Sequence, residues 1–135
     1  MSSSSVNGMN LFFGKAKCSI CHNGPRFTDD HFHNIGVSFT QTAEKDVGRN
    51  KVTGELFHLR AFKTPGLLYV SRTAPYMHDG SLDTLEEVVE FYDLGGDDDP
   101  LKSPFISPIG LTTIEKQDIV EFMKALDRKE SSYEK

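Results

Sequence analysis

Cys18-Ser19-Ile20-Cys21-His22 constrains this chain more than any other stretch. It is a CxxCH, the attachment signature of a c-type haem. Each thiol can add to one haem vinyl group, and the two intervening residues set the separation of the pair. The adjacent histidine then reaches the iron as proximal ligand. Two other chemistries use the same letters. CxxC can be half of a zinc site, with His31 and His33 supplying nitrogens, or it can be a redox dithiol. A zinc ribbon would bring a second CxxC, and the sequence holds two cysteines in all. A thioredoxin-like dithiol follows a strand, whereas the run into Cys18 has helical spacing. Haem attachment is the reading carried forward, and the rest of the chain is expected to build a pocket around one covalently bound haem.

The bulk properties agree with that expectation. A chain of 135 residues is the size of one domain. Its hydrophobic share of 37% is low for a self-sufficient core, and a buried porphyrin would supply the missing apolar surface. Fifteen basic against twenty acidic residues give a formal charge of −5, which argues against nucleic acid as a partner. An acidic surface could instead steer a basic redox protein. No apolar run is long enough to span a bilayer. Met1 followed by four serines lacks the charged and apolar regions of a signal peptide. Haem is attached to CxxCH outside the cytoplasm, so a periplasmic or otherwise exported location is expected, with the export signal on a precursor. With both cysteines tied to haem, no disulfide is expected.

The expected organisation is mainly helical, with long irregular loops. Residues 1–5 read as a disordered lead, 6–128 as the haem domain and 129–135 as a polar tail. From Val6 to Lys17 the spacing 6, 9, 13, 16 follows one helical face, with Ser5 as N-cap. Phe12 or Phe13 could pack on the haem. Asn23-Gly24-Pro25 is a turn, and residues 23–60 are loop-rich, with Ile35, Val37 and Phe39 alternating like a short strand. Pro65 suits the first turn of a short helix through Val70. Thr84 to Glu87 forms a capping box for a helix whose inward face is Leu85, Val88, Val89 and Tyr92, ending at Gly95-Gly96. Asp97 to Pro100 reads as an exposed acidic loop. Thr112 to Glu115 opens the last helix, to about Asp127, with Ile119, Phe122, Met123 and Leu126 on its apolar face.

An iron held by His22 has one more axial position, and Met77, Tyr92, His78, Met123 and His58 are the side chains to consider for it. Methionine would favour ferrous iron and raise the potential, whereas tyrosinate would favour ferric iron and lower it. A phenol has a pKa near 10, so a tyrosine ligand needs the ferric charge to deprotonate it. Position in the sequence does not choose among the five. Arg49 and Lys63 are candidates for the haem propionates, because a carboxylate pair calls for cationic partners.

Several segments in order along the chain resemble one family. Leu11 to Cys18, Cys21 to Asp29, Phe32-His33-Asn34-Ile35-Gly36, Gly48-Arg49, Phe62-Lys63-Thr64-Pro65, Ala74 to Ser81 and Thr84 to Glu87 are similar to the C-terminal haem domain of bacterial dihaem cytochrome c peroxidases and MauG-like enzymes. The resemblance implies a cytochrome c-like helical fold. It implies a sixth ligand from the helix after the Pro75-Tyr76-Met77-His78-Asp79-Gly80 segment: methionine in the peroxidases, tyrosine in the MauG-like branch. The matching position is Tyr92, not Met77. It places His78 near the haem edge or a domain interface, where a catalytic role is open to it. It also implies a calcium held partly by backbone carbonyls, at the positions of Thr73 and Pro75.

A complete family member has two CxxCH motifs and about twice this length. The expected function is therefore electron transfer by a monohaem c-type domain, to or from a second haem domain or a soluble redox protein. The alternative is a share in a peroxidase or MauG-like oxidase that uses hydrogen peroxide together with that second domain. Without the second domain, an apolar face is expected to invite a partner or self-association.

Overall fold

The computed structural model describes residues 1–37 and 46–127. Its regular elements are mostly helical: α1 (Ser3–Phe13), α2 (Asn50–Thr53), α3 (Leu85–Asp93) and α4 (Thr113–Lys124), with 3₁₀ turns at Cys18–Ile20, Leu56–His58 and Val70–Arg72. The one sheet among the described residues is a two-stranded ribbon. Strand β1 (Phe32–His33) runs antiparallel to β2 (Phe62–Lys63), with Phe32 opposite Lys63 and His33 opposite Phe62. Among the described residues, irregular chain joins these pieces, as the turn-rich sequence between Asn23 and Arg60 anticipates. No helix of the described residues is long and apolar enough to cross a membrane.

The packing begins with α1 lying across α4. Residues 1–5 are not a disordered lead: the helix starts at Ser3, and the Ser5 N–H donates to the Ser2 hydroxyl at 3.1 Å, so Ser2 is the N-cap rather than Ser5. Within α1 the buried face is Ser5, Gly8 and Phe12; of the 6, 9, 13, 16 stripe, Ala16 is core and Met9 packs against it, whereas Val6 and Phe13 are exposed. The reason is the closeness of the crossing. A Cβ on Gly8 would fall 1.8 Å from the Asp118 carbonyl oxygen, so two small residues form the contact, and Val6 and Phe13 are turned to the exposed side. Phe12 is 1% exposed and enters the core, while Phe13 is 55% exposed. From α4 the core takes Ile119, Val120, Phe122 and Met123, and from α3 it takes Leu85 and Val89. Leu67, Val70 and Leu111 close it.

Helix ends follow their capping residues. Thr112 and Glu115 make a complete capping box for α4, which stops at Lys124 rather than Asp127. At α3, Thr84 accepts the Glu87 N–H, but the Glu87 carboxylate reaches back to the Asp83 N–H, one residue before the expected partner. The segment after Pro65 is irregular up to the 3₁₀ turn at Val70–Arg72 instead of forming a helix from Pro65. The acidic loop is also not simply solvated. Asp99 is buried, its carboxylate takes Nε and Nη2 of Arg60, and the Asn34 amide donates to it at 2.9 Å. A buried carboxylate needs such partners to remain charged. Phe39 and the polar tail 129–135 lie outside the described residues.

Candidate functional site

α1 ends at Phe13, and Gly14 to Lys17 deliver the chain into the 3₁₀ turn that carries the cysteines. Lys17 adopts a left-handed conformation, φ 57°, which turns the chain from one element into the next. Cys18 and Cys21 are free thiols, and both line a cavity of about 500 Å³. His22, Tyr92, Met77, His78, Lys63, Thr73 and Pro75 line it too. Much of the rest is apolar: Phe12, Leu67, Val70, Leu85, Val89, Ile119 and Met123 belong both to the core and to this wall.

The chemistry of the wall suits a group that joins thiols and takes an imidazole. Burial is the main influence on both thiols, raising Cys18 to about 12 and Cys21 to about 11, the latter with help from the Asp29 carboxylate. Both therefore stand as neutral thiols at neutral pH. Burial lowers the His22 pKa, against the opposing pull of the Phe27 carbonyl, Asp29 and the Pro65 carbonyl. His22 is accordingly a neutral imidazole, the form that ligates metal. Its Nδ1 lies 2.8 Å from the Phe27 carbonyl oxygen, which commits Nδ1 as the protonated nitrogen and leaves Nε2 to reach an iron. Tyr92 lines the same cavity close enough to Cys18 and Cys21 to feel both, and its hydroxyl makes no hydrogen bond among the described residues. Burial pushes its pKa above the ordinary phenol value, with the neighbouring Cys18 and Cys21 adding to the effect. These residues fit a covalently attached haem: two thiols, one oriented imidazole, a phenol and an apolar lining.

The remaining sequence candidates are distributed as follows. Met77 reaches the cavity from an irregular loop, with φ 70°. His78 stacks flat on Phe62, ring centroids 3.5 Å apart, with Nε2 3.8 Å from the Asp46 carboxylate. Lys63 reaches the rim but pairs with Asp30 at 3.1 Å. Arg49 is placed differently from the propionate expectation: its guanidinium lies 4.4 Å above the Phe32 ring, away from the cavity lining. Stacking holds the planar cation there. Met123 lies in the core at the cavity wall. His58 instead bonds Thr53 at 2.8 Å on the surface.

Sequence reasoning missed one cluster. Donor atoms of Cys21, Asp29 and His33 all lie within 4.8 Å of one another, and His33 Nε2 meets the Asp29 carboxylate at 2.7 Å. Of the two histidines that a zinc site would call on, His33 and not His31 joins Cys21 in this cluster. The i, i+4 spacing of Asp29 and His33 was visible; without a helical pattern there, nothing marked it.

No family model matches the chain. Individual relatives do. The chain is 36% identical over 157 aligned residues to cytochrome-c peroxidase IdrP1 of Denitromonas iodatirespirans, covering 96% of this chain and 42% of that protein. It is 42% identical to methylamine utilization protein MauG of Methylorubrum extorquens, over 88% of this chain and 33% of that one. This chain is a haem-domain relative of the cytochrome c peroxidase and MauG-like proteins. Its fold agrees: a MauG-like protein associated with microbial copper homeostasis superposes with a TM-score of 0.88 at 32% identity, over 96% of this chain and 48% of that chain. The diheme peroxidase BthA from Burkholderia thailandensis gives a TM-score of 0.76 at 21% identity, over 94% of this chain and 43% of that one. The mainly helical, cytochrome c-like fold follows from these likenesses. The chain spans less than half the length of each of these four proteins.

Proposed function

We propose that this chain is a c-type haem domain that transfers electrons, holding one haem through Cys18 and Cys21 with His22 and Tyr92 as axial ligands. The observation that carries this reading is the convergence of both free thiols, the oriented His22 imidazole and the unpartnered Tyr92 hydroxyl on one apolar cavity. When bound, the haem supplies a one-electron Fe(III)/Fe(II) couple. The chain's own residues do the rest. Phe27 orients His22, the apolar wall excludes water, and Tyr92 would offer its phenol as the second ligand, which would favour the ferric state. Burial keeps the Tyr92 phenol protonated, so ferric charge is what would ionise it. Met77 lines the same cavity and is the competing donor.

The electron donor or acceptor is a second haem domain, such as the additional length of the relatives would provide, or a soluble redox protein. Calcium, if bound beside that domain, would take the backbone carbonyls of Thr73 and Pro75. The one cluster of three potential side-chain ligands among the described residues is at Cys21, not there. An exported location accompanies haem attachment.

A second reading is favoured by the peroxidase and MauG relatives: a share in a peroxidase or MauG-like oxidase, exercised only with the partner haem domain. The ferric spectrum separates the two. A low-spin spectrum indifferent to peroxide is expected for electron transfer, and it should become high-spin in Tyr92→Phe but not in Met77→Leu. Loss of low-spin ligation only in Met77→Leu would move the sixth ligand to Met77. Rapid oxidation of the isolated domain by peroxide would replace electron transfer with the second reading.

A further inference from the structure

We propose that the Asp29–His33 pair sets the potential of the haem from its His22 side, the carboxylate acting as a fixed anion that favours ferric iron. This inference rests on the haem reading above and concerns residues that hold neither the iron nor the porphyrin.

The geometry is specific. His33 Nε2 and an Asp29 carboxylate oxygen are 2.7 Å apart, with the two side chains 23% and 11% exposed. The other Asp29 oxygen accepts the His31 N–H at 2.8 Å. Both residues bring a polar atom within 4.8 Å of the Cys21 sulfur, which lies one residue from His22. The loop that holds Asp29 also supplies the Phe27 carbonyl to His22 Nδ1. Between them, the buried Thr28 hydroxyl donates to the Thr64 carbonyl at 2.6 Å. The carboxylate is thus carried by the same braced segment that orients the proximal ligand.

Asp29 is charged at neutral pH. Burial opposes its ionisation, but hydrogen bonds from the His31 N–H, His33 and Thr64 outweigh burial and hold its carboxyl below the usual range. Reduction lowers the charge of the iron site by one. A nearby anion with little water around it therefore stabilises the oxidised form more than the reduced one. The nearest other charges, Arg26 and Asp30 on this loop and Lys63 on β2, leave a net single positive charge, but all three side chains are exposed, so solvent screens them more than it screens Asp29. His33 keeps the carboxylate aimed at Cys21, a positioning task that the sheet pairing of His33 with Phe62 supports.

The test is the midpoint potential and ferric absorption spectrum of the haem-bearing chain, at one pH and ionic strength. Asp29→Asn should shift the Fe(III)/Fe(II) equilibrium about tenfold toward ferrous iron, ~59 mV upward for one electron, with the spectrum unchanged. Asp29→Glu, which keeps the charge, should remain near the parent value. His33→Lys, which sets a permanent cation beside the carboxylate, should move the potential upward as well, and it carries the test if Asp29→Asn does not retain haem. An unmoved potential in a haem-bearing Asp29→Asn protein overturns the inference. So does an equal shift in Asp29→Glu, which would mean that loop geometry rather than charge is responsible. If the parent chain carries no haem at all, by pyridine haemochrome assay, the haem reading falls and this inference with it.

Discussion

Phe12 joins the two tasks that the chain performs. Its ring packs edge-on against Phe122 at 5.1 Å and Phe27 at 6.0 Å, and lies 6.3 Å from the His22 ring. The same side chain is core and cavity wall. Removing it should cost about 3–5 kcal/mol, the usual range for a buried phenylalanine, and should loosen the His22 ring beside it. Phe12→Ala is accordingly expected to lower the denaturant midpoint strongly. Phe13→Ala, on the more exposed neighbour whose ring meets Phe12, Phe27 and Phe122, should cost clearly less, about 1 kcal/mol. Urea unfolding of both variants checks the contrast; equal losses would contradict the assignment of Phe12 alone to the core.

At the scale of elements, the α1–α4 crossing is the joint that positions the attachment turn, and Gly8 makes it possible. Gly8→Ala would drive a methyl into the Asp118 carbonyl and the Phe122 Cβ, at 1.8 and 2.9 Å. Although alanine is the better helix former by about 1 kcal/mol, this variant should be destabilised, because the obstacle is backbone and cannot swing aside. Ser3→Ala, on the same helix, is a propensity control for the comparison, and thermal unfolding would show whether the two differ in sign. This joint also explains what the sequence disclosed and what it withheld. The faces of α3 and α4 were legible because Leu85, Val89, Ile119, Phe122 and Met123 are apolar at helical spacing, and threonine caps mark both starts. The face of α1 was not, since Ser5 and Gly8 carry no hydrophobic signal. For the site, CxxCH announced its own chemistry, and Tyr92 lay on a readable helix face. The Asp29–His33 pair and the Phe27 carbonyl depend on how an irregular loop folds back, for which the sequence has no period. Asp99 was hidden for a related reason: its partners Asn34 and Arg60 are 65 and 39 residues away.

Across the whole molecule, two features hold the irregular half together, and they respond to different stresses. The first is Asp99 with Arg60 and Asn34, tying three distant loops. Burial opposes ionisation of Asp99, yet Arg60, Asn34 and the Leu101 N–H together bring its pKa down to about 2. A carboxyl whose folded pKa is depressed contributes stability that is fully present above its unfolded value, near 4, and is lost as pH falls toward 2. Its contribution is on the order of 2 kcal/mol. Asp99→Asn should flatten that part of the acid-unfolding curve between pH 4 and pH 2, as followed by circular dichroism; an identical curve would remove Asp99 from the explanation. The second feature is the cavity. Its wall is built from the same leucines, valines, isoleucine and methionine that form the core, so occupying it completes one apolar interior rather than adding a separate site. A haem attached covalently there would therefore stabilise the native fold and could not dissociate from it. The Cys18→Ser/Cys21→Ser double variant, unable to attach haem, should melt well below the haem-bearing chain. A deficit of even ~3 kcal/mol corresponds to roughly 10 °C for a chain of this size. Equal, cooperative melting of the two forms by calorimetry would mean that the apolar wall is self-sufficient.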